Sequence, residues 1–166
     1  MGSAGAFLIL ESREHAEARG AKPYARINKV VADRCTRQPG AARKVADGLF
    51  EQIRSEIPAG PLPVLTGCCG VQPQLKEEHE FLNGLSEFGI DPVIRGVTTV
   101  FGNTLEAQFP VSVVLASLAI SRGAFFDPFD ETGVEKEFSS DPERILISTW
   151  AHWRGESLAL VEKPDV

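Results

Sequence analysis

The sequence predicts an α/β domain, with a mixed sheet and helices packed on it. Three observations lead there. Short apolar or β-branched runs of strand length alternate with segments whose apolar residues recur at helical spacing. Pro39-Gly40, Ile57-Pro58-Ala59-Gly60, Gly89 and Gly123 break the chain at the ends of these segments. Near the end, two apolar runs flank a Gly-containing connection, as in a hairpin. With 166 residues, 43% of them hydrophobic and 24% charged, the chain has the length and balance of one globular domain. No internal repeat, low-complexity tract or linker divides it.

Ala4 to Leu10 is a nearly continuous apolar run, predicted as a strand buried on both faces. Ser12 then suits an N-cap, Glu14 a first turn, Arg19 a last turn and Gly20 a stop, giving a short helical turn. Tyr24 to Ala32 is a second strand, carried by Ile27, Val30 and Val31. After Pro39-Gly40, a helix runs from Ala41 through Ala42, Val45, Ala46, Leu49, Phe50 and Ile53. Leu62 to Leu65 is a short strand leading into Thr66-Gly67-Cys68-Cys69-Gly70. Pro73 opens a further helix with Leu75, Leu82, Leu85 and Phe88 on one face, ended by Gly89. Val93 to Val100 is a strand. Thr104 to Arg122 is a helix, with Asn103 and Glu106 spaced as a capping box and Gly123 as its stop. Its middle is apolar nearly all round, the mark of a helix buried on several sides, and Pro110 kinks it or delays its start. An acidic, Pro-containing loop spans Asp127 to Glu143, before the hairpin of Ile145 to Ser148 and Leu158 to Val161.

Composition excludes several functions. The formal net charge of −6 has the wrong sign for a non-specific nucleic-acid binder. No apolar run approaches the roughly 20 residues needed to span a bilayer, and the start lacks a signal peptide's basic head. Cys35, Cys68 and Cys69 are odd in number and two are adjacent, so a disulfide framework is not expected and a reducing cytoplasm fits. His15, His79 and His152 are scattered, and no metal-ligand spacing is present.

The opening Gly2-Ser3-Ala4-Gly5-Ala6-Phe7-Leu8-Ile9-Leu10-Glu11, followed by Glu14-His15-Ala16-Glu17-Ala18-Arg19-Gly20-Ala21, resembles a strand and turn of the β-ketoacyl-(acyl carrier protein) synthases. Val97 to Gly123 is similar to that family's strand, Gly-His loop and long buried helix, and Ile145 to Lys163 to its closing hairpin. The resemblance spans residues 1–166 as one domain and is to the C-terminal half of the family's thiolase-like fold. It implies a mixed sheet of about five strands with helices on both faces. It also implies acyl carrier protein thioesters as partners, and a missing N-terminal half or a catalytic synthase subunit in a homo- or heterodimer. Neither cofactor, metal nor nucleic acid is implied.

The family's chemistry makes demands this chain does not meet. Condensation uses a cysteine nucleophile, which lies in the other half, and two imidazoles that donate to the enolate oxygen. One imidazole belongs to a His-Gly-Thr loop, where this chain has Gly67-Cys68-Cys69-Gly70. The other belongs to a Gly-His loop, where it has Gly102-Asn103. The family's Gly-Phe-Gly-Gly turn is replaced by His152-Trp153-Arg154-Gly155.

Each candidate has a second explanation. Asn103 is either a carbonyl donor, as in type III synthases, or a helix cap. Cys68 and Cys69 are reactive thiols or small buried fillers. Gly102, Asn103, His152 and Trp153 are the substrate-binding candidates, the last two either narrowing an acyl tunnel or packing a turn. His79 is expected to be solvated beside acids, and His15 to be a surface contact. The acidic loop is expected to be solvated and to repel an acidic carrier protein. The resulting expectation is a synthase-like domain that is inactive alone and akin to a chain-length factor. The alternatives are a thioester-processing enzyme using Cys68 or Cys69 with Asn103, and a non-catalytic acyl-binding scaffold.

Overall fold

In the computed structural model, residues 1–67, 70–150 and 155–165 are described. Five strands, β1 (Arg26–Asp33), β2 (Gly60–Thr66), β3 (Ile90–Gly96), β4 (Arg144–Trp150) and β5 (Glu156–Glu162), form one mixed sheet in the order β1-β5-β4-β2-β3. β2 is parallel to β3 and to β4, whereas β5 runs antiparallel to both β4 and β1. The helices are α1 (Arg13–Ala18), α2 (Ala41–Ile53), α3 (Gln74–Gly84), α4 (Val97–Phe101) and α5 (Gln108–Arg122).

Strand alternation sorts the core into two layers. Leu62, Val64, Leu146, Leu158 and Leu160 face α2 and α3, where they meet Leu49, Phe50, Phe81 and Leu82. Leu65, Ile145, Ile147, Ala159 and Val161 face α5, where they meet Val113, Ala116 and Ile120. β4 and β5 are thus covered on both sides, which is why they read as unbroken apolar runs. Each Leu or Ile buried in this way contributes about 1.5–3 kcal/mol. Ile27 and Val31 of β1 serve opposite layers although four residues apart, because the register shifts between Ile27 and Lys29.

Most predicted elements form, with differences that have physical causes. Ala4 to Leu10 is not a strand of this sheet. Gly2, Ala4 and Ala6 turn inward, and Ala4 and Ala6 pack on the α5 layer, but Phe7 and Ile9 are 97% and 89% exposed. Burial on both faces would need pairing within the sheet, and none of its five strands pairs with this segment. The strand predicted to reach Val100 stops at Gly96, and Val97–Phe101 is a helical turn. In α3 the buried residues are Glu77, Glu78, Phe81 and Leu82, while Leu75 is only half-buried. No described helix is long and apolar enough to cross a membrane.

α2 lacks a local cap: Gly40 precedes it in the left-handed conformation with no side chain to offer. Glu77 of α3 supplies the cap, accepting the Gly40 and Arg43 N–H groups at 2.9 Å each. A buried carboxylate there satisfies two orphan donors and sits at the positive end of the helix dipole.

Candidate functional site

Because β2, β3 and β4 are parallel, their C-terminal ends share one edge of the sheet. β2 ends beside β4, where the Gly67 N–H donates to the Ser148 carbonyl at 2.8 Å. A Cβ on Gly67 would lie 3.1 Å from Gln108 Cγ and 3.3 Å from Thr149 Cγ2. The residue before Cys68 is therefore wedged between β4 and the start of α5, a space that suits glycine. Cys68, Cys69, His152 and Trp153 themselves lie outside the described residues.

β3 leads through α4 into Gly102 and Asn103. Gly102 has φ +67 and packs on the backbone of Gly2, whose Cα would lie 2.9 Å from a Gly102 Cβ. The Gly2 N–H donates to the Asn103 carbonyl at 2.9 Å, so the N-terminal segment closes over this loop. The Asn103 side chain does not cap a helix running from Thr104. Its Oδ1 accepts the Leu105 N–H at 2.9 Å, a local turn that passes Leu105 through φ +52. A 3-10 turn, Leu105–Ala107, follows, and α5 begins only at Gln108. Pro110 explains the delay. Within the first turn its missing N–H leaves no hydrogen bond unmade, whereas a helix begun at Thr104 would place it where that bond is needed.

Below the loop, Thr104 and Gln108 are buried, and the Thr104 hydroxyl donates to Gln108 Oε1 at 3.2 Å. At the end of β4, the Trp150 indole N–H donates to Ser148 Oγ at 2.8 Å. That hydroxyl donates in turn to Glu78 Oε1 at 3.1 Å. Across the hairpin, the Cys35 thiol donates to Glu156 Oε1 at 3.4 Å. Burial, with Glu156 beside it, pushes the Cys35 thiol up to about 11. It is therefore a protonated, poorly nucleophilic sulfur at neutral pH. Burial also raises the Glu156 carboxyl above the usual range, and the nearby Glu77 and Asp33 reinforce the shift.

Arg95, fully buried on β3, anchors the loop after α5. Its Nε donates to the Phe126 carbonyl at 2.8 Å, and its guanidinium lies over the Phe125 ring. Burial draws the Arg95 pKa downward, opposed by Glu135, whose carboxylate stands 3.9 Å from Nε. Glu135 Oε1 also accepts the Gly96 N–H at 2.6 Å. The acidic loop is thus not wholly solvated, since Glu135 locks it to the end of β3.

The structure brings Gly102 and Asn103 together with the end of β2. His15 and His79 are exposed on α1 and α3. Sequence reasoning missed Gln108, Thr104, Glu78 and Glu156. The signals were faint: a polar residue opening an apolar helix, and acids in segments that looked solvated. Among the described residues, no group of His, Cys, Asp and Glu is arranged to hold a metal.

No family model matches the sequence, and no curated protein matches it significantly. Solved structures do match its fold. One is a type II polyketide synthase acyl-carrier protein in complex with its ketosynthase bound to the hexaketide. The TM-score is 0.68 at 15% identity, over 93% of this chain and 37% of that one. Another is the ishigamide ketosynthase/chain length factor, with a TM-score of 0.70 at 16% identity over 93% of this chain and 41% of that one. A β-ketoacyl synthase from Burkholderia phymatum gives 0.68 at 17% identity, over 93% and 41%. The chain thus spans about two-fifths of the length of these neighbours and shares the thiolase-like fold of part of a ketosynthase.

Proposed function

We propose that a thiolase-like ketosynthase fold with an asparagine on its catalytic loop serves here as the C-terminal part of a β-ketoacyl-synthase-like protein of fatty-acid, polyketide or lipid biosynthesis. It holds acyl carrier protein thioesters without condensing them. Its role resembles that of a chain-length factor, completing and shaping the tunnel of a catalytic synthase subunit in a dimer.

The observation that carries this reading is the Gly102–Asn103 loop. Enolate formation calls for a strong donor at this position, worth about 2.7–4 kcal/mol of barrier by precedent. Asn103 offers a neutral carboxamide, whose Oδ1 accepts the Leu105 N–H and leaves Nδ2 as its donor. A carboxamide can hold a carbonyl oxygen, but with Gly67-Cys68-Cys69-Gly70 in place of the His-Gly-Thr loop neither imidazole is left to serve the enolate. Val114 and Leu118, one turn apart on α5 and outside the core cluster, are only half-buried, which supports a partner surface on that helix.

The test is a condensation assay of the protein with and without a co-encoded synthase subunit. The expected result is no product from the protein alone and altered product length when the pair is combined. Condensation by the protein alone would overturn the reading. A second reading, thioester processing by Cys68 or Cys69 with Asn103, is favoured by the wedging of Gly67 against the start of α5. A thiol alkylator separates the two. Cys35 is held protonated, so rapid single-site labelling at neutral pH would report Cys68 or Cys69 and favour the enzymatic reading.

A further inference from the structure

Gln108 is 8% exposed, and its Nε2 has no hydrogen-bond partner among the described residues. Buried amide donors are nearly always satisfied, so an orphan asks what would satisfy it. Two contacts fix where the carboxamide lies. The Thr104 hydroxyl holds its Oε1 at 3.2 Å, and its Cγ is the atom that a Cβ on Gly67 would approach to 3.1 Å. Gln108 is also the first residue of α5, a fifteen-residue helix whose N-terminal dipole favours an electron-rich oxygen. The orphan donor thus sits at a positive helix end, beside Gly67 at the end of β2 and Thr104, the residue after Asn103.

We infer that Gln108 is a hydrogen-bond donor for the carbonyl oxygen of a bound acyl thioester, oriented for that task by Thr104. The inference rests on the proposed thioester-binding role and assigns the residue that would recognise the thioester. A thioester carbonyl needs a neutral donor and no proton transfer, which is what a carboxamide provides. Its oxygen would satisfy Nε2 and lie within the field of the helix terminus. A thioether of the same length offers no acceptor and gains nothing from Gln108.

The experiment compares S-octanoyl-pantetheine with its thioether analogue, which lacks the carbonyl. Binding is measured calorimetrically on the protein in the complex it forms with a synthase subunit, or alone if it forms none. Gln108→Leu replaces the amide with an apolar group of similar bulk. The expected result is thioester binding about five- to tenfold weaker than wild type, with thioether binding unchanged. Thermal stability should change little, because loss of the unpartnered donor offsets the acceptor that Thr104 loses. Should Gln108→Leu fail to fold, Gln108→Met, unbranched and of similar length, carries the same comparison. Equal thioester affinity in wild type and variant would overturn the inference, as would a parallel loss for both probes, and the proposed function would stand. Wild-type protein that binds neither probe would overturn the proposed function itself.

Discussion

Glu77 is the point at which the α2–α3 layer is most open to a quantitative test. Its carboxylate accepts the N–H groups of Gly40 and Arg43, both at 2.9 Å, at a helix end with no cap of its own. Hydrogen bonds to a charged group contribute about 1.5–3 kcal/mol each. Gly40 is exposed and regains water when the carboxylate is removed, so the two bonds together are worth about 2–4 kcal/mol. Glu77→Ala should therefore lower stability by that amount. For a chain of this size the melting temperature falls by about 2–4 °C per kcal/mol, a drop of about 5–15 °C. Glu77→Gln keeps one acceptor oxygen and loses the charge, and should fall about midway. Circular dichroism melts of the three proteins, with hydrogen exchange at the Gly40 and Arg43 amides, supply the measurement. If Glu77→Ala melts within about 1 °C of wild type, or if those amides keep their protection, the carboxylate is not the cap of α2.

Glu135→Gln should cost about 2–3 kcal/mol, because a buried guanidinium loses its countercharge and the Gly96 bond weakens, with urea titration as the measure. Arg95→Met together with Glu135→Gln should recover part of that loss, and a purely additive double variant would deny the coupling. Glu156 gives a pH signature. Its carboxyl is raised in the folded protein above the ordinary 4.5, so the folded state holds the proton longer than the unfolded chain. Its contribution is full below that ordinary value and declines as pH rises through the folded one. Glu156→Gln should abolish the decline and melt higher than wild type at pH 8, and identical pH profiles would remove Glu156 as its source. Gel filtration at low micromolar concentration should show the chain self-associating through the half-exposed face of α5, and Leu118→Lys should yield a monomer.

What the sequence made legible depends on how locally each instruction is written. Ser12 before α1 and Gly123 after α5 act on backbone groups within a few residues, and both function as expected. The doubly covered strands β4 and β5 announced themselves by apolar runs, because two layers must be fed from successive side chains. Long-range satisfaction of polar groups left no such mark. Glu77 and Glu78, beside the exposed His79, had the look of a solvated face. Yet one caps α2 by accepting the Arg43 N–H, 34 residues before it, and the other receives Ser148 from β4. The Asn103–Glu106 spacing was a sound local signal overruled by a stronger one, Pro110, whose ring and missing N–H fix where α5 can start.

The run from Ala4 to Leu10 and the half-exposed face of α5 share a lesson about the partner surface. An apolar pattern states that exposure is unfavourable. It does not state which neighbour relieves it. For β4 and β5 the neighbour lies within this sheet, and the pattern and the observed burial agree. For Phe7 and Ile9 no strand of the sheet pairs with their segment, and the same kind of pattern ends in solvent. Val114 and Leu118 repeat the mismatch on the helix that also carries Gln108. Disagreement between apolarity and burial therefore concentrates on the side of the molecule formed by α5 and the N-terminal segment. The Gly2–Asn103 hydrogen bond ties that segment to the site loop, so a partner that covers one surface also bears on the other.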